Sequence, residues 1–123
     1  MHYCVTHGIV TCMLDDELLS THLQELRRGT VVLACLLILK QPNYGYALLD
    51  LLDQRGFAVD ANTLYPLLRR LEKQGLLTSA WNTEESRPRK FYRTSGKGVA
   101  LADTLSRDWD GLHTAFRALK GES

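Results

Sequence analysis

No stretch of this chain is long and apolar enough to cross a bilayer. Its longest uninterrupted apolar run, Val31 to Leu39, is about half the length a spanning helix needs. The first residues lack the basic region and small-residue cleavage site of a secretory leader. Cysteine is scarce: Cys4, Cys12 and Cys35 are too few and too irregularly placed for a disulfide framework, and Cys35, inside the apolar run, reads as a small core residue. A cytoplasmic protein without membrane contact is expected. Chemistry-bearing clusters are missing as well. His2, His7, His22 and His113 have no carboxylate or cysteine partner at a mechanistic spacing, and no glycine-rich phosphate loop is present, so no catalytic residue and no cofactor are expected. His2, Cys4, His7 and Cys12 crowd the N-terminus, but their spacings match no zinc pattern and nothing downstream completes one, which argues against a metal.

What is present is the composition of a soluble globular chain, 45% hydrophobic and 24% charged over 123 residues, enough for one domain with a real core. The net charge of +1 excludes nothing, but its distribution is uneven. Between Ala61 and Gly98 eight basic residues stand against three acids, a local balance of +5 that leaves −4 for the rest. An anion-binding face on an otherwise acidic body would have this pattern.

Read in order, residues 1–14 show no period and are expected to form a tail or an extension outside the fold. Asp15, Asp16 and Glu17 favour a helix N-terminus through the dipole, and Leu18, Leu19, Leu23 and Leu26 make a stripe leading into the run Val31 to Leu39. That run is apolar on nearly every side, which suits a central buried helix ended by Lys40, Gln41 and Pro42. A single helix from Asp15 to Gln41, or one with a slight break near Gly29, is the expectation. Tyr44-Gly45-Tyr46 opens another helix, with Ala47, Leu48, Leu51 and Leu52 inward, and Gly56 ends it.

The segment Asn62 to Gly75 combines a start signal, an amphipathic stripe, a basic face and a stop. Leu64, Leu67, Leu68 and Leu71 fall at i, i+3, i+4 and i+7 and face a core. Thr63, Pro66, Arg70 and Lys73 share another side, with Tyr65 and Arg69 beside them. With Thr63 as N-cap, Pro66 would sit in the first turn, where its missing N–H costs nothing, and Gly75 is the stop. An ordinary surface helix with solvated charges has the same pattern; its surroundings decide. A supporting helix precedes it, as in a helix-turn-helix. Leu76 to Trp81 and Lys90 to Thr94 then read as two strands around a polar loop, a wing that carries Arg87, Arg89, Lys90 and Arg93 with Phe91 and Tyr92 interleaved. From Ser95 or Gly98 to about Lys120 a last helix carries Val99, Leu101, Ala102, Leu105, Trp109, Leu112, Phe116 and Leu119 at three- and four-residue spacing. So long an apolar stripe calls for a second copy.

Three blocks, PNYGY at 42–46, NTLYPLLRRLEKQGLL at 62–77 with Trp81 beyond, and SRPRKFYRTSGKG at 86–98, resemble the signatures of PadR-type winged-helix transcriptional regulators. The resemblance spans roughly residues 22–119. It implies a mainly α fold with a small β-hairpin: a winged helix-turn-helix over 15–95 and a single dimerisation helix over 96–123, as in the short subfamily. It further implies a homodimeric, ligand-responsive repressor. On this resemblance Asn62, Thr63, Tyr65, Arg69, Arg70 and Lys73 face a double-stranded DNA operator, Tyr44 and Tyr46 stand at the start of the supporting helix, and Arg87, Arg89 and Lys90 supply the wing. Trp109 falls where multidrug-sensing members stack flat aromatic ligands, with Leu105 and Phe116 as walls of an effector site. Two departures stand out: Asn62 replaces a common glycine or serine, and Arg93-Thr94-Ser95 replaces the usual leucine-threonine before the last helix. A protein-interaction winged helix that never touches DNA is the alternative of a different class.

Overall fold

The structure, a computed structural model, describes residues 14–84 and 86–122, so the N-terminal histidines and cysteines discussed above, His2, Cys4, His7 and Cys12, lie outside the described residues. The chain divides into two compact units, residues 1–30 and 31–123.

In the first unit, α1 (Asp16–Arg27) begins where the Asp15 carboxylate accepts the Leu18 N–H at 2.6 Å, with Asp16 and Glu17 in the first turn. No residue of α1 is buried, and Leu18 and Leu26 are exposed. The expectation of one continuous helix to Gln41 is overturned. Arg28 leaves helical geometry at ψ 131 and Gly29 takes φ +88, a left-handed conformation that only glycine adopts at no steric cost. The helix is therefore fully interrupted at Arg28 and Gly29 rather than slightly bent.

The second unit contains α2 (Thr30–Ile38, from its second residue), β1 (Asn43–Tyr44), α3 (Gly45–Gln54), α4 (Ala61–Lys73), β2 (Leu77–Asn82), β3 (Arg89–Thr94) and α5 (Gly96–Leu119). The run Val31 to Leu39 supplies the centre of the core through Cys35, Leu36 and Leu39, all at 0% exposure. Leu48 and Leu52 of α3, Leu64, Leu68 and Leu71 of α4, Leu77 of β2 and Ala102 of α5 close around it. The strands form an antiparallel sheet in the order β1-β3-β2. A hairpin alone is expected from the sequence; the structure adds β1, whose Asn43 and Tyr44 pair with Tyr92 and Phe91.

The departure at Arg93-Thr94-Ser95 is accommodated by hydrogen bonds. Thr94 is buried, but its N–H donates to the Leu39 carbonyl at 2.8 Å and its hydroxyl to the Leu36 carbonyl at 2.7 Å. Ser95 caps α5 by accepting the Gly98 N–H at 3.0 Å while its hydroxyl donates to the Gly75 carbonyl at 2.6 Å. Beyond Ala102 no residue of α5 is buried, and Trp109, Leu112, Phe116 and Leu119 leave about half or more of their surface open, at 49, 51, 53 and 80%.

Candidate nucleic-acid interface

The helix α4 is held by its leucines. Leu64, Leu67, Leu68 and Leu71 are buried as their spacing requires, which turns Asn62, Thr63, Pro66, Arg69, Arg70 and Lys73 outward, all exposed. The cap is not Thr63. Asp60 takes that place: its carboxylate accepts the Thr63 N–H at 2.8 Å and its carbonyl the Leu64 N–H at 2.9 Å. Pro66 thus lies inside the helix, past the first turn, and leaves the Asn62 carbonyl without its usual donor four residues on. Asn62 and Thr63 gain helical positions in the exposed first turn as a result. At the other end Gly75, with φ +78, donates to the Glu72 carbonyl, and Leu76 to the Leu71 carbonyl, both at 2.9 Å, the paired bonds of a Schellman cap. Lys97 closes this end by donating to the Gln74 carbonyl at 2.9 Å.

The half-buried Tyr65 ring lies against the start of α3, so close that a Cβ at Gly45 would stand 2.8 Å from its Cε1. Glu72, on the inner side of α4, reaches both strands of the wing. Its carboxylate accepts from the Ser79 hydroxyl at 2.5 Å and from Lys90 Nζ at 3.2 Å, and Lys90 also lies over the Tyr92 ring at 5.3 Å. The Ser79 bond, then the bond and charge of Lys90, hold the Glu72 carboxyl below the usual carboxylate range, against the opposing effect of burial.

The wing root is aromatic. Tyr44 and Tyr46 stack in parallel at 5.5 Å, and Phe91 meets Tyr44 edge-on at 6.0 Å. The Arg89 guanidinium lies 5.8 and 5.4 Å from the two tyrosine ring centroids and donates to the Tyr46 hydroxyl at 2.5 Å. The Asn82 amide donates to the Tyr44 hydroxyl at 2.7 Å. Arg87, in the connection between the strands, is exposed. Between this root and α4 opens a cavity of about 590 Å³ lined by Tyr46, Tyr65, Trp81, Arg87, Arg89 and Lys90, among others.

The structure thus brings Tyr46, Tyr65, Arg87, Arg89 and Lys90 to one cleft, with Asn62, Thr63, Arg69, Arg70 and Lys73 on the outer face of the helix that bounds it. Within this group Lys90 is turned to Glu72 and Tyr44 to Asn82, while Arg69, Arg70, Lys73 and Arg87 form no ion pair among the described residues. Sequence reasoning passed over Glu72, Ser79 and Asn82. Only the register of the hairpin, which sets Asn82 opposite Arg89, would have flagged the last of these. On α5, Leu105 is half-buried, Phe116 is exposed, and Trp109 stacks on His113 at 5.5 Å and 7°. Among the described residues no group of three or more His, Cys, Asp or Glu side chains converges on a point, and no helix is long and apolar enough to cross a membrane.

A sequence model described as the transcriptional regulator PadR-like family matches residues 32–103. The chain is 36% identical over 78 residues to the transcriptional regulator Rv3488 of Mycobacterium tuberculosis, covering 63% of this chain and 70% of that one. Its fold is similar to the crystal structure of a PadR family transcriptional regulator from Eggerthella lenta, with a TM-score of 0.79 and 45% identity over 85% of this chain and 93% of that one. A PadR-like transcriptional regulator from Bacillus cereus is similar at a TM-score of 0.72 and 26% identity, covering 80% of this chain and 99% of that one. A mainly helical winged-helix fold, a basic helix beside a wing and these relatives agree: the chain belongs to the PadR-like family of transcriptional regulators, and its work is DNA-binding regulation rather than catalysis.

Proposed function

We propose that the chain acts in the cytoplasm as a homodimeric repressor, with residues 15–95 as the part that holds a double-stranded operator and α5 as the dimerisation helix. The observation that carries the reading is the outer face of α4, where Asn62, Thr63, Arg69, Arg70 and Lys73 are exposed beside a wing that carries Arg87. Two such helices enter successive major grooves, about 34 Å apart, on inverted half-sites. Thr63, Tyr65 and Arg69 or Arg70 read base edges, because they lie on the N-terminal and middle turns. Lys73 and Arg87 grip phosphates.

Leu105, Trp109, Leu112, Phe116 and Leu119 recur along α5 at alternating four- and three-residue steps, the spacing of a coiled-coil seam, and this supports pairing with a second α5. Between the two copies Trp109 would stack an aromatic effector with Leu105 and Phe116 as walls, and its binding would release DNA.

The test is a mobility shift with a duplex from upstream of the protein's own coding sequence and a random duplex of equal length, across a salt series. Arg70→Ala is expected to cost about 1–3 kcal/mol on the first duplex and to relax specificity, whereas Arg87→Ala weakens both alike and flattens the salt slope. With four such cations per protomer, the dimer's slope of log K against log salt should be no steeper than about −7. Equal losses on both duplexes for both variants would sink this division of labour. Affinity indifferent to salt would favour a protein-interaction module. Repression is checked by deleting the gene, which should raise transcription from the bound promoter.

A further inference from the structure

The rung formed by Asn82 and Arg89 is the last paired position of the wing among the described residues, and Arg87 lies in the connection beyond it. The direction in which the wing tip points is therefore set at this rung, since a two-stranded ribbon on its own is only marginally ordered. Each residue of the rung is held by one of the two stacked tyrosines. Arg89 binds the hydroxyl of Tyr46, and Asn82, half-buried on the other strand, binds the hydroxyl of Tyr44. Tyr44 is itself fixed by its pairing with Phe91 in the sheet, by the edge of the Phe91 ring and by the parallel Tyr46 ring. Both tyrosines belong to the start of α3, against which Tyr65 of the recognition helix packs at Gly45. Wing root and recognition helix consequently share one frame.

We propose that Asn82 is a positioning residue for DNA binding: through the Tyr44 hydroxyl it fixes the angle at which the wing presents Arg87, without itself meeting DNA. The proposal rests on the DNA-binding reading above and deepens it. It also gives Tyr44 a different part from the outward residues of α4, because its hydroxyl is engaged inside the protein. Loss of the Asn82 amide leaves every phosphate-binding cation in place but lets the tip sample more directions, so that DNA must order it on binding.

The experiment has two arms. In the first, amide hydrogen exchange is followed in the full-length DNA-free protein for Asn82→Ala, Tyr44→Phe, the double variant and Asn82→Asp. Asn82 also accepts the Glu84 N–H through its Oδ1 at 3.1 Å, so exchange in β2 and β3 is expected to quicken in Tyr44→Phe, to quicken at least as much in Asn82→Ala, and to be no quicker in the double variant than in Asn82→Ala, because the Tyr44 bond is already lost there. Asn82→Asp, whose carboxylate accepts from the Tyr44 hydroxyl, should restore protection, which a general loss of packing would not allow. Tyr44→Phe keeps the ring stack and serves should Asn82→Ala fail to fold. In the second arm, binding to the upstream duplex should weaken about three- to tenfold for Tyr44→Phe, the span that loss of one hydrogen bond allows, and at least as much for Asn82→Ala, which also loses the bond from the Glu84 N–H. The salt slope should stay at the wild-type value, whereas Arg87→Ala flattens it. Wing exchange unchanged in Asn82→Ala, additive losses in the double variant, or a flattened slope in Asn82→Ala would each overturn the proposal. Wild-type protein that ignores both DNA duplexes would instead refute the DNA-binding reading, with the exchange arm still deciding whether Asn82 anchors the wing.

Discussion

Replacing Gly98 with alanine tests how closely α5 is set into the base of the wing. An added Cβ would stand 2.2 Å from the Leu76 carbonyl oxygen, 3.1 Å from the Leu76 carbonyl carbon and 2.7 Å from Thr94 Cγ2. The first two are backbone atoms that cannot swing aside. Leu76 is pinned on both sides, its N–H bonded to the Leu71 carbonyl at 2.9 Å and its carbonyl to the Ser95 N–H at 3.0 Å. Relief therefore requires the N-terminus of α5 to retreat by about 1 Å, and overpacking of that kind typically costs 1–3 kcal/mol. The same retreat strains the Ser95 cap, worth about 1 kcal/mol, on which Gly98 itself depends. Against these, alanine gains up to about 1 kcal/mol over glycine in a helix. The net loss is about 2 kcal/mol, or a fall in Tm of roughly 8–16 °C for a domain of this size. Gly111→Ala is the control, with no atom within 4 Å of an added Cβ, and it should hold or raise the Tm. The assay is thermal unfolding by circular dichroism at one fixed protein concentration, because the Tm of any chain that pairs with a second copy depends on concentration. A Gly98→Ala variant as stable as wild type would refute the close-approach argument.

Glu72 has its folded pKa lowered, so its contribution to stability is present above the ordinary value of 4.5 and lost as pH falls below it. Glu72→Gln should flatten the fall of urea midpoints on that acid limb; an unchanged limb would refute the link. Burial pushes the Cys35 thiol up from 9.0 to about 12, so its contribution is intact below pH 9 and is lost as pH rises toward 12. In a variant with Cys4→Ser and Cys12→Ser, a disulfide reagent at pH 8 should label Cys35 only after unfolding, and rapid labelling of the native protein would contradict its burial. In Trp81→Phe protein, titration with a planar cationic dye should quench the fluorescence of Trp109; no quenching would end the effector reading. Leu112→Glu should shift sedimentation from dimer to monomer, and an intact dimer would remove α5 from the interface.

What was legible in the sequence is what one face of one element determines. The leucines of α4 announce themselves because a helix packed on one side must bury every third or fourth residue, and the exposed cations follow from the same period. Strand β3 and helix α5 were readable for similar reasons. The start of α4 was not, because Asp60 and Thr63 are both good caps, and the choice between them depends on where the preceding residues are held. Nor was β1: two residues have no period, and Asn43 and Tyr44 form a strand only because Tyr92 and Phe91 pass beside them. The break at Gly29 looked slight since a glycine inside an apolar pattern is compatible with helix, and only its positive φ makes it a full interruption. The bonds from Glu72 to Ser79 and Lys90, and from Asn82 to Tyr44, join residues of different elements, and no local pattern encodes them.

Those same bonds change the meaning of the local positive charge. A balance of +5 between Ala61 and Gly98 invites the inference that all eight cations meet DNA. The structure gives three of them internal work. Lys90 holds Glu72 on the inner side of α4, Lys97 closes the C-terminal end of that helix, and Arg89 clasps the tyrosines at the wing root. Arg93 pairs with Thr78 near the end of the hairpin farthest from the tip. Arg69, Arg70, Lys73 and Arg87 are left exposed, three on α4 and one in the wing connection. On the DNA-binding reading proposed above, these cations contribute by presenting the other four in a fixed arrangement rather than by releasing counterions themselves. A basic segment of this kind is thus partly a scaffold, and the strength of its hold on phosphate is set by the charges it leaves unpaired rather than by its net charge.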